Sequence, residues 1–233
     1  MPKKLFIFDL DGTLINAYPA IAESLNYTLR QLNYPEMDPE TIIRFVGTGD
    51  DGLIKTFFPD EEVSQARQIY HEHHKKNLIG KVSLLPGARA LLQSLKTKGK
   101  ILAVASNRDK ETAILLVKIL GLKDYFDRVL TREEVIEPKP APDILMTLLD
   151  HFRVSREEAV YIGDMDIDAK AGAAAGVTTV IVTTGSSTRK EIEAVKPDII
   201  LSSLKDYSEL ELATKNPTIP YISKRCSICK KGS

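Results

Sequence analysis

Short apolar stretches recur along the chain, at residues 5–9, 101–106, 128–131, 159–163, 178–182 and 198–202. They are β-branched or continuously apolar rather than alternating. That pattern predicts strands covered on both faces, as in a parallel sheet. Amphipathic stretches at 88–98, 110–120, 143–152 and 167–175 separate them and predict helices. Gly121 and Gly176 follow two of these stretches as helix stops. Strands alternating with helices predict an α/β fold with a mostly parallel sheet. Ligands of such sheets gather outside the carboxyl ends of the strands.

One segment breaks the alternation. Residues 15–82 carry helical spacing, at 18–32 and 63–78, and no convincing strand. A compact helical insert directly after the first strand is the expected arrangement. Pro86-Gly87 marks the return to the sheet. The expected layout is a core of residues 1–14 and 83–214, an insert of 15–82, and a C-terminal extension of 215–233. The extension carries Asn216-Pro217, Pro220 and a basic finish.

Composition narrows the function classes. Lys+Arg and Asp+Glu are equal at 32 each, so no basic excess draws the chain to nucleic acid or an anionic membrane. An anionic substrate then needs local positive charge or a metal. The apolar runs are strand-sized, below the roughly 18 residues of a membrane span. The opening run is too short and too charged for a signal peptide. The two cysteines, Cys226 and Cys229, make no disulfide framework, so a reducing cytoplasm is expected.

Four constellations carry candidate chemistry. Asp9-Leu10-Asp11-Gly12-Thr13-Leu14 closes the first strand, where alternation points Asp9 and Asp11 the same way. Two such carboxylates repel unless a cation sits between them, and Mg²⁺ suits carboxylates plus a phosphate. An Asp-rich turn is the ordinary alternative for that pair alone. Gly163-Asp164-Met165-Asp166-Ile167-Asp168 follows another strand, with Asp164 at its end and Asp168 one turn on. Acids at a helix N-terminus also occur simply because they complement the helix dipole. Ser106-Asn107-Arg108 ends a third strand as an anion site or as a plain N-cap. Lys139 lies between Pro138 and Pro140, as a held point charge for phosphate or as a solvated loop lysine. Each motif alone has a bland reading; four together at strand ends do not.

These motifs resemble those of the haloacid dehalogenase superfamily of phosphatases. Residues Asp9 to Leu14 match the DxDGT[LV] pattern, Ser106-Asn107 the second motif, Lys139-Pro140 the third, and Gly163-Asp164 through Asp168 the GDxxxD fourth. The resemblance spans residues 4–212 and is nearest to phosphoglycolate phosphatase-like members. It implies a Rossmannoid parallel-sheet core with helices on both faces and a small α-helical cap domain after the first strand. It implies Asp9 as nucleophile and metal ligand, and Asp11 as acid then base with its backbone oxygen on Mg²⁺. Asp164 would be a further ligand and Asp168 a support for the metal. Ser106, Asn107 and Lys139 would hold the phosphoryl oxygens. The cap loop Val46-Gly47-Thr48-Gly49 resembles the glycine-containing loop of these phosphatases, placing Gly47, Thr48 and Gly49 at the substrate. An ordinary helix–helix turn is the other reading of that loop.

Asp11 argues against a dehalogenase, which has no alkoxide to protonate. A β-phosphoglucomutase, a pyrophosphatase, and a phosphate-binding module without turnover stay open. The expected partner is a small phosphorylated metabolite, with the chain a monomer or homodimer. Arg44 is either an exposed arginine or a contact for a substrate carboxylate. His71 and His74 share a face at i,i+3 spacing, read as a solvated helix surface in preference to a metal pair. Cys226 and Cys229 form one CxxC of unknown role.

Overall fold

The structure, a computed structural model, describes residues 2–207. The expected 215–233 extension with Cys226 and Cys229, and residues 208–214 of the expected core, lie outside the described residues.

The chain starts with β1 (Leu5–Phe8), then β2 (Ile15–Asn16). Four helices follow: α1 (Tyr18–Gln31), α2 (Pro39–Ile43), α3 (Gly49–Phe57) and α4 (Val63–Asn77). After β3 (Ser83–Leu84) the alternation begins with α5 (Ala88–Thr97), β4 (Ile101–Ser106), α6 (Lys110–Ile119) and β5 (Arg128–Thr131). It continues with α7 (Asp143–Phe152), β6 (Ala159–Gly163), α8 (Asp166–Ala175), β7 (Thr178–Val182), α9 (Arg189–Ala194) and β8 (Ile199–Leu201).

The main sheet has the order β5-β4-β1-β6-β7-β8, and every pairing is parallel. β1 is central: Leu5 faces Ile101 on one side and Ala159 on the other. All four of its residues are buried, because helices cover both faces. Phe6 and Phe8 pack with Leu91, Leu92 and Leu95 of α5 and Leu116 of α6. Leu5 and Ile7 point the other way, to Ile144, Leu145 and Leu148 of α7 and Ala171 of α8. Each fully buried Leu, Ile or Phe in these layers contributes roughly 1.5–3 kcal/mol of transfer free energy. Among the described residues no helix is long and apolar enough to cross a membrane.

One expectation for residues 15–82 is corrected. β2 lies inside that span and pairs antiparallel with β3, Ile15 opposite Leu84. Two residues are too few to show a period of two, so helical spacing was all the segment displayed. This ribbon brings the two ends of the four-helix insert side by side. Within the insert, Asn77 of α4 donates to the Ala20 carbonyl of α1 at 3.0 Å.

Candidate active site

The central strand delivers its last residue to the sheet's carboxyl rim. The Asp9 amide donates to the Ile162 carbonyl at 2.9 Å, which extends the β1–β6 ladder by one residue. The chain then turns at Gly12, whose φ of +80° belongs to the left-handed region. A Cβ there would collide with the Tyr18 hydroxyl and the Asp164 carboxylate. Glycine therefore lets the turn pass against the neighbouring strand end.

Three carboxylates from two strand ends meet there. Asp9, Asp164 and Asp168 each place an oxygen within 4.8 Å of the others, and all three are buried. Lys139 reaches in from the loop before α7. Its Nζ donates to Asp9 Oδ1 and Asp168 Oδ1 at 2.8 Å each, and to the Tyr161 hydroxyl at 2.9 Å. Tyr161 in turn donates to Asp168 Oδ1 at 2.6 Å. The amides of Asp164 and Met165, at the start of α8, donate to Asp168 Oδ2 at 3.1 and 3.0 Å. Thr13 donates to Asp164 Oδ1 at 2.7 Å, and Tyr18 to Oδ2 at 3.2 Å.

These contacts divide the carboxylates by role. Burial pushes Asp9 up to about 7, although Lys139 pulls against the shift. Burial, then the charges of Asp168 and Asp9, hold Asp164 well above the usual carboxylate range. Burial works on Asp168 in the same direction, but Lys139, Tyr161 and the Met165 amide outweigh it and keep its pKa low. Lys139 stays protonated: burial lowers its pKa, but Asp168 and Asp9 raise it by more. One ammonium therefore faces three carboxylates. An all-oxygen cluster whose buried carboxylates resist ionising together fits a divalent cation with oxygen ligands, which would compensate their charge. Asp168 already accepts four protein hydrogen bonds, so Asp9 and Asp164 are the better-placed ligands.

Asp11 turns to a different partner. Arg108 grips it with Nε on Oδ2 at 2.7 Å and Nη2 on Oδ1 at 2.9 Å. Arg108 Nη1 also donates to His74 Nε2 at 2.9 Å. His74 Nδ1 then donates to Ser24 Oγ at 3.1 Å, and Ser24 donates to the Ala20 carbonyl at 2.7 Å. This tautomer is assigned from the network. The chain of bonds links α1 and α4 of the insert to the end of β4. His74 is fully buried, which overturns the expected solvated face. The arginine beside it and the stacked Tyr70 ring replace water. His71 and His74 do not converge on a common point: His71 lies 3.1 Å from Asp109.

The remaining candidates surround the same cavity. Ser106 and Asn107 are buried at the end of β4. Asn107 Oδ1 accepts from the Lys139 amide at 3.0 Å, and its Nδ2 donates to the carbonyls of Lys139 at 3.0 Å and Gly47 at 3.1 Å. Asn107 thus holds the lysine loop and touches the insert. Gly47 has φ of +134° and packs on Met165, while Gly49 has φ of +81° with its Cα against the Asn107 carbonyl. Both line the cavity; Thr48 precedes α3 beside Gly52 and is not among its lining residues. Arg44 binds the Ser186 carbonyl and lies 2.7 Å from Glu191, so it ties the insert to the region of α9 instead of facing the cavity. The cavity, of about 40 Å³, is lined by Asp9, Asp11, Ser106, Lys139 and Asp168 from the core. Tyr18, Ile21, Val46 and Leu53 complete it from the insert. Roughly 10–15 Å³ holds one water, so there is room for only a few small atoms.

Comparison with known proteins agrees with this geometry. Residues 6–182 match the model of the haloacid dehalogenase-like hydrolase family. The phosphoglycolate phosphatase of Aquifex aeolicus is 30% identical over 207 residues, 89% of this chain and 96% of that protein. The phosphoglycolate phosphatase of Rhodospirillum rubrum is 33% identical over 198 residues, 80% of this chain and 82% of that protein. A crystal structure of a predicted phosphoglycolate phosphatase from Haemophilus somnus superimposes with a TM-score of 0.85. It shares 27% identity and covers 90% of this chain and 98% of its own.

Proposed function

The chain belongs to the haloacid dehalogenase-like hydrolases and is a phosphatase, and from that premise we propose that it hydrolyses a small phosphoglycolate-like monoester through an aspartyl-phosphate on Asp9. The single observation that supports the reading most is the meeting of Asp9, Asp164 and Asp168 around Lys139 at one rim of the sheet. The resident metal in this reading is Mg²⁺, which the carboxylates of Asp9 and Asp164 and the backbone oxygen of Asp11 would hold. When bound, it would neutralise charge on the transferring phosphoryl group.

The protein's own residues carry the steps. A carboxylate oxygen of Asp9 forms a bond to phosphorus as the bond from phosphorus to the leaving oxygen breaks. Asp11 gives its proton to that oxygen. The Asp11 carboxylate then takes a proton from water, the water oxygen bonds to phosphorus, and the bond to Asp9 breaks. Inorganic phosphate leaves. Lys139, Ser106 and the strand-end amides stabilise the equatorial oxygens. Asn107 positions Lys139, and Asp168 with Tyr161 keeps the ammonium oriented. Arg108 fixes the position of the Asp11 carboxylate through two hydrogen bonds.

The insert acts as the cap that selects the substrate. Tyr18, Ile21, Val46 and Gly47 reach the same cavity as Asp9. A cavity this small admits a compact substrate only after the insert lifts. A panel of phosphate monoesters with Mg²⁺, including phosphoglycolate, sugar phosphates and pyrophosphate, tests the reading. Small acidic monoesters should be hydrolysed fastest, and Asp9→Asn should remove the activity. Equal turnover by wild type and Asp9→Asn would overturn the proposal.

A further inference from the structure

A second cluster lies at the seam between insert and core, beside the cavity of the proposed reaction and made of other residues than its three carboxylates. It is built from Asp50 of α3, His71 of α4 and Asp109, which precedes α6. Their facing atoms all lie within 4.8 Å of one another. His71 Nε2 is 3.1 Å from Asp109 Oδ2 and 3.8 Å from Asp50 Oδ2. Asp50 is 6% exposed, so its carboxylate is more than nine-tenths buried.

The orientation of these atoms is informative. Asp50 Oδ2, His71 Nε2 and Asp109 Oδ2 are all buried, and not one of them completes a hydrogen bond. At 3.1 Å the imidazole and Asp109 are close enough to bond, so the failure is one of direction. A buried polar atom without a partner is costly, and here three face one another. Two nearby arginines face other carboxylates: Arg67 is 2.6 Å from Asp51, and Arg108 holds Asp11.

We propose that Asp50, His71 and Asp109 form a second divalent-cation site, of the mixed imidazole–carboxylate kind that zinc occupies. Ligands of a tetrahedral zinc ion at about 2.0–2.2 Å stand roughly 3.4 Å apart, the scale of the separations here. An imidazole beside two carboxylates selects a borderline metal over Mg²⁺, which prefers oxygen alone. Three protein ligands leave a fourth position for water. The side chains of His71 and Asp109 are 38% and 17% exposed, which provides access from solvent. Two ligands come from the insert and one from the core. The bound ion would therefore clamp the insert onto the core beside the cavity, which Asp50 also lines.

Zinc binding is measured by equilibrium dialysis in excess Mg²⁺, with the full chain carrying Cys226→Ser and Cys229→Ser so that tail thiols do not contribute. The parent should retain one zinc equivalent more than the same chain with His71→Gln, and Asp109→Asn should reduce it similarly. Equal zinc content in the parent and His71→Gln chains, or none in either, overturns the proposal. Should His71→Gln fail to fold, zinc-edge X-ray absorption on the parent decides. A nitrogen and oxygen shell with an imidazole signature supports the site, and a shell without imidazole overturns it.

Discussion

Arg108 holds both carboxylate oxygens of Asp11, at 2.7 and 2.9 Å, across a separation of 97 residues. Its side chain is 3% exposed and that of Asp11 14%, so the pair is screened from water. Removing one member leaves the other charge buried and unpaired, which typically costs 3–5 kcal/mol. Arg108→Met should lower the free energy of unfolding by roughly 3 kcal/mol or more, read from urea denaturation. Arg108→Lys should fall between, because a lysine cannot grip both oxygens at once. An unchanged urea midpoint for Arg108→Met would show that the pair adds nothing to stability.

Lys139 couples the proposed nucleophile to Asp168. Lys139→Met should reduce kcat by about 10²–10³-fold, the usual effect of losing one donor to a transition-state oxyanion. Tyr161→Phe removes only one of the bonds that orient the ammonium and should cost far less. Steady-state kinetics on both variants checks the ranking. Comparable losses would mean that Lys139 serves packing and not charge.

Much of this arrangement is legible in the residue pattern. The strands at 101–106, 128–131, 159–163 and 178–182 occur where the apolar runs predict them, because strands covered on both faces are dominated by apolar and β-branched residues. Asp9, Asp164, Asp168, Ser106, Asn107 and Lys139 surround one rim because each ends or follows a parallel strand, and parallel strands share one carboxyl end. Long-range pairing is not legible. Arg108 belongs to the Ser106-Asn107-Arg108 motif, but nothing local says that it turns toward Asp11. Tyr161 reads as an apolar strand residue, although its hydroxyl serves Lys139 and Asp168. His74 sits in a polar stretch that resembles a solvated face, and only the packing of α4 against α1 and Arg108 buries it.

His74 gives a pH test of that burial. Burial, then the neighbouring Arg108, holds its pKa well below 6.5 in the folded chain. The unfolded chain therefore binds the proton more tightly. The stability from neutral His74 is complete above pH 6.5 and is lost as pH falls toward the folded value. His71 works in the opposite direction, since its contact with Asp109 raises its pKa despite opposing desolvation. The comparison is therefore between chains: His74→Gln should show a shallower loss of unfolding free energy between about pH 6.5 and 5 than wild type. Identical slopes would mean that His74 titrates alike in both states.

The most direct test of the account is to trap the phosphorylated residue itself. Wild-type protein turning over a small phosphate monoester with Mg²⁺ is acid-quenched, reduced with borohydride, and digested for peptide mass spectrometry. An acyl phosphate on Asp9 is reduced to the corresponding alcohol, so homoserine should appear at position 9 only in the substrate-treated sample. Homoserine at another aspartate, or none at position 9 despite a detectable covalent phosphoprotein, would contradict the assignment.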